Sequence, residues 1–296
     1  MILASQQQVP NSMHTSMRIV IIVLLAVCSM QAMQTSDGTR RKFNEVRTKI
    51  IDSNWSALPI GELMTKVAQQ LVGVSYVGGT LDGPGREMCS VDMLRLDCVT
   101  LFEVTLNMAR ITHLGKDSLS DLIDAVTFTR YRDGILTDYT SRLHYTSDWI
   151  DNNIKKGVVR DVTPTLGGQA FPLQLGFMSK NPKYYPALQA NPDFISVMHD
   201  IEQRVNQTSR LIVPGKNIES IEHQLQDGDI VAIATSKSGL DYSHTGLIVR
   251  DGNRARLLHA SSTQKMVVLD VPIADYVKKV STNIGITILR PLPVGR

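Results

Sequence analysis

The fold class is decided by residues 229–271, which read DIVAIATSKSGLDYSHTGLIVRDGNRARLLHASSTQKMVVLDV. Apolar and polar residues alternate here with a period of two, and turn residues interrupt the alternation. This pattern predicts four short strands, at 229–235, 243–250, 254–261 and 265–271. The same pattern predicts a fifth strand beyond the quoted stretch, at 284–290. Short strands separated only by turns are typical of an antiparallel meander.

The residues before this region have helical periodicity instead. Apolar side chains recur three and four positions apart in six segments, 41–53, 58–72, 98–112, 120–131, 146–156 and 192–207. The stretch 74–95 contains four glycines and a proline and is predicted to be a loop. Helices followed by antiparallel strands predict an α+β fold.

Length and charge limit the possible partners. The chain has 296 residues, of which 43% are apolar, enough for one sizeable core. It carries 31 Lys and Arg against 28 Asp and Glu, a net charge of +3 without basic runs. This balance argues against nucleic acid, whose binding requires clustered basic residues.

An export signal is predicted at the N-terminus. Residues 19–27, IVIIVLLAV, form an apolar run after Arg18 that is too short for a membrane-spanning helix of about 20 residues. We expect a signal peptide over 1–32, a linker or helix over 33–56 and a single domain over 57–296. The mature protein would then be periplasmic or secreted without stable membrane insertion. Lipid attachment at Cys28 and an uncleaved anchor are the alternatives.

Three residues are candidates for catalysis: Cys98, His244 and His259. Cys98 is predicted to begin a helix with Asp97 as its N-cap, and the positive end of a helix favours a thiolate. If Asp251-Gly252 forms a two-residue hairpin turn, the two histidines lie directly opposite each other on one face of the sheet. One could then act as a base and the other could orient it.

Other roles are open for these residues. In an oxidising compartment Cys98 could pair with Cys89 in a disulfide, and each of the three could simply be part of the core. A Cys–His–His zinc site is a further alternative, although no close ligand pair such as CxxC or HxxxH is present. We therefore predict no metal and no cofactor.

Several motifs resemble those of a known family. Leu96–Glu103 (LDCVTLFE), Ser243–Val249 (SHTGLIV) and Leu258–Ser261 (LHAS) resemble the Cys, His and second-His motifs of the NlpC-like, papain-related cell-wall hydrolases. Within that superfamily the chain is similar to the bacterial N-acetylmuramoyl-L-alanine amidase-like family, once known only as a domain of unknown function. Further matching stretches are 76–81, 141–145, 149–152 and 239–242.

The resemblance implies a fold, an activity and roles for the three residues. The implied fold is papain-like and NlpC-type, with the nucleophile helix packed on the meander and extra helices between the Cys and His motifs. The implied reaction cleaves the amide between the lactyl group of N-acetylmuramic acid and L-alanine in peptidoglycan fragments. Cys98 would be the nucleophile, His244 the general base and then acid, and His259 the orienting group.

Four further residues are predicted to bind substrate. Tyr76 would contribute near the oxyanion, Arg142 would hold a carboxylate of the stem peptide, and His144 and Tyr145 would contact sugar or peptide. A γ-D-glutamyl–diamino acid endopeptidase with the same triad is the alternative within the superfamily. A catalytically inactive muropeptide-binding protein is the alternative outside it, and the oligomeric state is left open.

Overall fold

A mixed sheet with helices on both of its faces forms the body of the protein. The structure, a computed structural model, describes residues 35–83 and 85–295. The predicted signal peptide over 1–32, including Cys28, lies outside these residues. Within the part that the structure describes, no helix is long and apolar enough to cross a membrane.

The predicted helices are present, with small shifts at their ends, and short ones are added between them. In chain order the α-helices are α1 (Asp37–Asp52), α2 (Ile60–Gln69), α3 (Cys98–His113), α4 (Leu119–Arg130), α5 (Thr146–Lys155), α6 (Phe177–Lys180), α7 (Pro186–Ala190), α8 (Asp193–Asn206), α9 (Ile218–Ile221) and α10 (Ile273–Lys278). Helix α1, which falls in the segment predicted as linker or helix, belongs to the same compact unit as the rest of the described chain.

The sheet contains the predicted meander and several short strands that periodicity did not reveal. The strands are β1 (Ser75–Tyr76), β2 (Arg95–Leu96), β3 (Val159–Asp161), β4 (Gln169–Ala170), β5 (Leu211–Pro214), β6 (Ile230–Thr235), β7 (Tyr242–Asp251), β8 (Arg254–Ser261), β9 (Met266–Pro272) and β10 (Asn283–Pro291). Their order is β2-β1-β9-β8-β7-β6-β10-β5-β4, and β3 pairs with β10. The pair β1–β2 is parallel and the meander is antiparallel, so the fold is α+β with a mixed sheet.

Alternating side chains of the meander supply two hydrophobic cores. On one face Ile230, Leu247 and Leu258 pack with helices α1 to α5. On the other, Val231, Ile248 and Leu257 pack with α9 and α10. Burial on both faces explains why few polar residues interrupt the apolar ones in the strands β6 to β8, so that the predicted alternation is weak there.

Helix α3 is buried on most of its surface and is held by an internal ion pair. Glu103 in α3 accepts a hydrogen bond from Nε of Arg130 in α4 at 2.8 Å, and both side chains are almost fully buried. An unpaired buried charge would cost several kcal/mol, so each residue depends on the other. This pair fixes α4 against the helix that begins at Cys98.

Candidate functional site

Helix α3 begins with a complete capping box. The Asp97 side chain accepts hydrogen bonds from the backbone N–H groups of Val99 at 3.1 Å and Thr100 at 2.8 Å. The Thr100 hydroxyl accepts in return from the Asp97 N–H at 2.9 Å. The predicted N-cap is thus confirmed, and it orients the first turn that carries Cys98.

A hydrogen bond joins the start of this helix to the strand of the first histidine. The Thr245 hydroxyl donates to the carbonyl oxygen of Cys98 at 2.9 Å. Thr245 directly follows His244, so the bond places the backbone of the predicted base beside the predicted nucleophile. Sequence reasoning quoted Thr245 within a motif but assigned it no role.

The thiol of Cys98 is protonated at neutral pH. Burial and the negative charge of Asp97 raise its pKa to about 11, although contacts with the side chain and backbone of Thr245 lower it. The helix end was expected to favour a thiolate. The capping carboxylate occupies the N–H groups of Val99 and Thr100 and opposes a second negative charge, so Cys98 requires a base.

The two histidines form a hydrogen-bonded pair. The distance from His244 Nε2 to His259 Nδ1 is 2.7 Å, and the two rings are nearly perpendicular with centroids 4.8 Å apart. The prediction that both side chains share one face is confirmed by this contact. Sequence periodicity was sufficient for this prediction because side chains alternate between the two faces of a sheet. A change of register by an even number of residues therefore leaves each side chain on the same face.

The predicted position of the hairpin turn is wrong. Asp251 pairs with Arg254, so Gly252 and Asn253 form the turn, and Gly252 has a φ of 58°. Glycine at the first central position suits a type II′ turn. The ladder moves by two residues relative to the prediction, which leaves the two histidines diagonal to each other but on the same face.

Two β-bulges border the site. His244 pairs with Ile233 while Tyr242 pairs with Ala234, so Ser243 is the extra residue of β7. A second register shift lies in β9, opposite the segment of β8 between Arg256 and Leu258. Bulges change the direction in which neighbouring side chains point, and they leave no signal in hydrophobic periodicity.

Two residues that sequence reasoning missed complete the surroundings of the pair. Asp270, at the bulge in β9, lies with its Oδ2 3.3 Å from His259 Nε2. Tyr276 in α10 packs its ring against both histidines, with centroids 4.9 Å from His259 and 5.9 Å from His244. Val268 is the cross-strand partner of His259, and Asp270 lies two positions further along β9. An acidic residue at this spacing is the signal by which the sequence could have indicated Asp270.

Tyr276 also connects the histidine pair to the nucleophile. Its pKa is raised to about 12, by burial and by the negative charges of Asp270 and of a Cys98 thiolate. The phenol therefore lies within electrostatic range of the thiol while its ring contacts both histidines.

Both histidines are neutral at neutral pH. Burial, and then the neighbouring charge of a protonated His259, lower the pKa of His244 to about 3. Burial also lowers the pKa of His259, although Asp270 opposes that change. A neutral imidazole is the form that can accept a proton.

Tyr76 is the predicted substrate-binding residue whose strand leads towards the nucleophile, because it pairs with Leu96, two residues before Cys98. Burial, followed by the charges of Cys98 and Asp97, raises its pKa, so its phenol remains protonated and can donate a hydrogen bond. The ring is partly exposed at the end of β1. Tyr76 is therefore placed where it could meet a substrate bound at Cys98.

Arg142 is already engaged inside the protein. The residue is 5% exposed, and its guanidinium donates to Asp82 at 2.6 Å, lies 3.3 Å from Glu87 and stacks over the ring of Tyr139. Both carboxylates belong to the glycine-rich loop that follows Tyr76. In the described conformation Arg142 holds this loop.

His144 and Tyr145 also have partners within the protein. His144 Nε2 lies 2.8 Å from the carbonyl oxygen of Tyr139. The hydroxyl of the buried Tyr145 donates to Glu202 at 2.7 Å and accepts from the Met178 N–H at 3.0 Å. Among the described residues, no hydrogen bond, ion pair or ring contact joins either side chain to the histidine pair.

The two described cysteines are both free thiols. The Cys89 thiol donates to the carbonyl oxygen of Ile123 at 3.8 Å and accepts from Arg130 at the same distance, so the possible Cys89–Cys98 disulfide is not formed. Within the described ranges no group of three or more His, Cys, Asp or Glu side chains has the arrangement of a metal site. The zinc alternative therefore gains no support from the geometry.

A polar cavity of about 400 Å³ lies elsewhere in the fold. Its lining comes from residues 173–177, 180 and 181, from two positions of α8 and from Ser238 and Gly239. None of the three candidate catalytic residues lines it. We place the candidate site at Cys98 and the histidine pair because the Thr245 hydroxyl bonds the strand of His244 to the start of the Cys98 helix.

Acidification is expected to destabilise the folded protein through two partly buried histidines. Burial holds the pKa of both His144 and His244 at about 3, against about 6.5 in the unfolded chain. As the pH falls, the unfolded state binds protons before the folded state does. The contribution of these histidines to the free energy of unfolding is therefore complete above pH 6.5 and is lost as the pH falls towards 3. At pH 5 the loss is about 2 kcal/mol for each histidine. Urea unfolding at pH 7 and pH 5 measures it.

The His144→Gln variant is the comparison for this prediction. A glutamine can still donate to the Tyr139 carbonyl but does not titrate, so the pH-dependent loss should shrink by about 2 kcal/mol. If the variant loses as much stability between pH 7 and pH 5 as the wild type does, protonation of His144 does not contribute to the loss.

Comparison with known proteins identifies a family that covers most of the chain. The family described as N-acetylmuramoyl-L-alanine amidase-like matches residues 66–286. No curated protein sequence matches the chain.

Solved structures are similar over most of the chain. An N-acetylmuramoyl-L-alanine amidase from Bacteroides uniformis ATCC 8492 is 34% identical, with a TM-score of 0.74, covering 79% of this chain and 99% of that one. A Legionella pneumophila protein of the family DUF1460 is 20% identical, with a TM-score of 0.62 over 86% of this chain and 95% of that one. The second similarity concerns the fold alone.

Proposed function

Because the chain belongs to the N-acetylmuramoyl-L-alanine amidase-like family, we propose that it hydrolyses muropeptides between the lactyl group of N-acetylmuramic acid and L-alanine. The observation that carries the mechanism is the 2.7 Å contact between His244 and His259, because the strand of His244 is bonded to the start of the Cys98 helix. The proposal includes a papain-like, NlpC-type fold and export, since peptidoglycan lies outside the cytoplasmic membrane.

The first half of the proposed reaction forms a thioester. Since Cys98 and His244 are both neutral at rest, the Cys98 proton moves to His244 as sulfur attacks the lactyl carbonyl carbon. The resulting oxyanion requires hydrogen-bond donors, for which we propose the Cys98 backbone N–H and the Tyr76 hydroxyl. The C–N bond then breaks, and the proton on His244 goes to the leaving amine of L-alanine.

The second half releases the sugar. Water loses a proton to His244 and attacks the thioester carbonyl, and the C–S bond breaks. The proton returns to sulfur, which restores the neutral Cys98 and His244. Overall one water is consumed, and the products are a muramic acid carboxyl group and a free amine.

The proposal assigns different roles to the predicted substrate-binding residues. Tyr76 contacts the substrate directly because its strand leads towards Cys98. Arg142 acts through the loop 77–94, which it holds by Asp82 and Glu87. His144 and Tyr145 support this wall from within, through Tyr139 and Glu202.

Product masses test the proposed function. We expect purified protein to split a disaccharide–peptide muropeptide into free disaccharide and an intact stem peptide that begins with L-alanine. A disaccharide that still carries L-Ala-D-Glu would establish the endopeptidase instead. Binding without turnover would establish a muropeptide-binding protein, and the Cys98→Ala variant is the blank for contaminating activity.

A further inference from the structure

The carboxylate of Asp270 is held at both of its oxygens by donors of different kinds. Oδ1 accepts from the Val271 backbone N–H at 2.7 Å and from Lys279 at 3.3 Å. Oδ2 lies 3.3 Å from both His259 Nε2 and the side-chain amide of Gln264. One oxygen therefore faces fixed backbone and a cation, and the other faces the histidine.

We propose that Asp270 is a positioning residue that sets the ring tautomers of His259 and His244. This inference rests on the proposed function, because it explains how His244 becomes a base for Cys98. The carboxylate does not contact Cys98 and acts through the two rings.

The tautomers follow from donor and acceptor chemistry. A carboxylate only accepts, so His259 must carry its proton on Nε2 and present a lone pair at Nδ1. His244 Nε2, 2.7 Å from that lone pair, must then be the donor. The lone pair of His244 is left on Nδ1, the nitrogen that the pair does not use and that is free to accept the thiol proton.

The surroundings of Asp270 keep it ionised. Burial raises its pKa, but the hydrogen bonds from Val271, His259 and Lys279 outweigh burial and hold the pKa below its usual range. Tyr276 faces the carboxylate from α10, Lys279 from the C-cap of that helix, Gln264 from the turn before β9, and His259 from β8. The negative charge can therefore stabilise the imidazolium that forms on His244 during proton transfer.

An asparagine at this position should reverse the tautomers. The amide oxygen would stay where the Val271 N–H and Lys279 donate, because a backbone N–H cannot turn away, whereas the exposed Gln264 side chain can rotate its amide oxygen towards the new NH₂. The amide NH₂ would then face His259 Nε2 and donate to it. His259 would move its proton to Nδ1 and donate to His244 Nε2, which would leave His244 protonated on Nδ1 and unable to accept from Cys98.

The experiment measures the tautomers directly, by ¹⁵N NMR of the ring nitrogens in protein labelled at histidine. In the wild type we expect both rings to be protonated on Nε2. In Asp270→Asn we expect protonation on Nδ1, and a fall in kcat of about 10³- to 10⁴-fold with little change in KM. Asp275→Asn, whose carboxylate pairs with Arg254 instead, is the matched control and should leave tautomers and kcat unchanged.

Each outcome decides the inference. Wild-type rings protonated on Nδ1, or an Asp270→Asn protein with wild-type tautomers and low activity, would overturn it and leave only a structural role. Alanine in Asp270→Ala places no donor or acceptor beside His259, so this variant should give a mixture of tautomers. Its loss in kcat should be smaller than that of Asp270→Asn. The wild-type measurement stands even if a variant fails to fold. A wild type with the expected tautomers but no amidase activity would refute the proposed function alone.

Discussion

Replacement of Cys98 by alanine is expected to lower kcat by about 10⁶-fold and to leave the fold intact. Without sulfur the thioester cannot form, and His244 has no proton to accept. Alanine keeps the capping box of α3 and the bond from Thr245, because both use the backbone of residue 98 or its neighbours. Turnover of the muropeptide and the thermal midpoint of unfolding measure the two effects.

Cys89→Ser is the matched variant for this prediction. Burial raises the pKa of the Cys89 thiol, and its contacts are with Ile123 and Arg130, away from the histidine pair. We expect this variant to retain activity. An inactive, folded Cys89→Ser protein, or an active Cys98→Ala protein, would show that Cys98 is not the nucleophile.

The second large effect is expected from Gly246→Ala. A methyl group at this position would lie 3.1 Å from Cβ of His259, 3.0 Å from the carbonyl oxygen of Leu258 and 2.6 Å from a methyl of Leu257. The strands must separate to accept it, which displaces His259 from His244. We expect about a 10²-fold loss in kcat/KM and a loss of about 1–3 kcal/mol in stability. Steady-state kinetics and urea unfolding measure them.

Gly83→Ala is the control for the glycine substitution. A methyl group there meets nothing within 4 Å, and the backbone of Gly83 is not in the left-handed region. It should behave as the wild type in both measurements. Wild-type kcat/KM in Gly246→Ala would show that the close approach to His259 does not matter for the reaction.

The proposed mechanism starts from neutral partners, unlike a thiolate–imidazolium pair. The Asp97 cap that starts helix α3 also places a negative charge next to the thiol. The same residue thus orients Cys98 and prevents its spontaneous ionisation. The reactivity of Cys98 then depends on the hydrogen-bonded series of His244, His259 and Asp270. For this reason a change in the tautomers of the two rings is expected to lower kcat strongly.

The amino-acid sequence by itself determined the main elements of the fold and the three candidate catalytic residues. The helix that begins at Cys98 and the Asp97 cap follow from local chemistry, and the meander follows from its period of two. The shared face of His244 and His259 also follows, because an error of two residues in the register does not change the parity of a strand.

Only the tertiary structure decided the register, the bulges and the surroundings of the site. The turn formed at Gly252-Asn253, and the bulge in β9 brought Asp270 to His259; both depend on the pairing of whole strands and not on local pattern. Arg142 and Tyr145 were attributed to substrate from their sequence neighbourhood, but ion pairs and hydrogen bonds with distant residues engage them. Protonation also depends on burial and on charges brought together by folding, which no single segment of sequence contains.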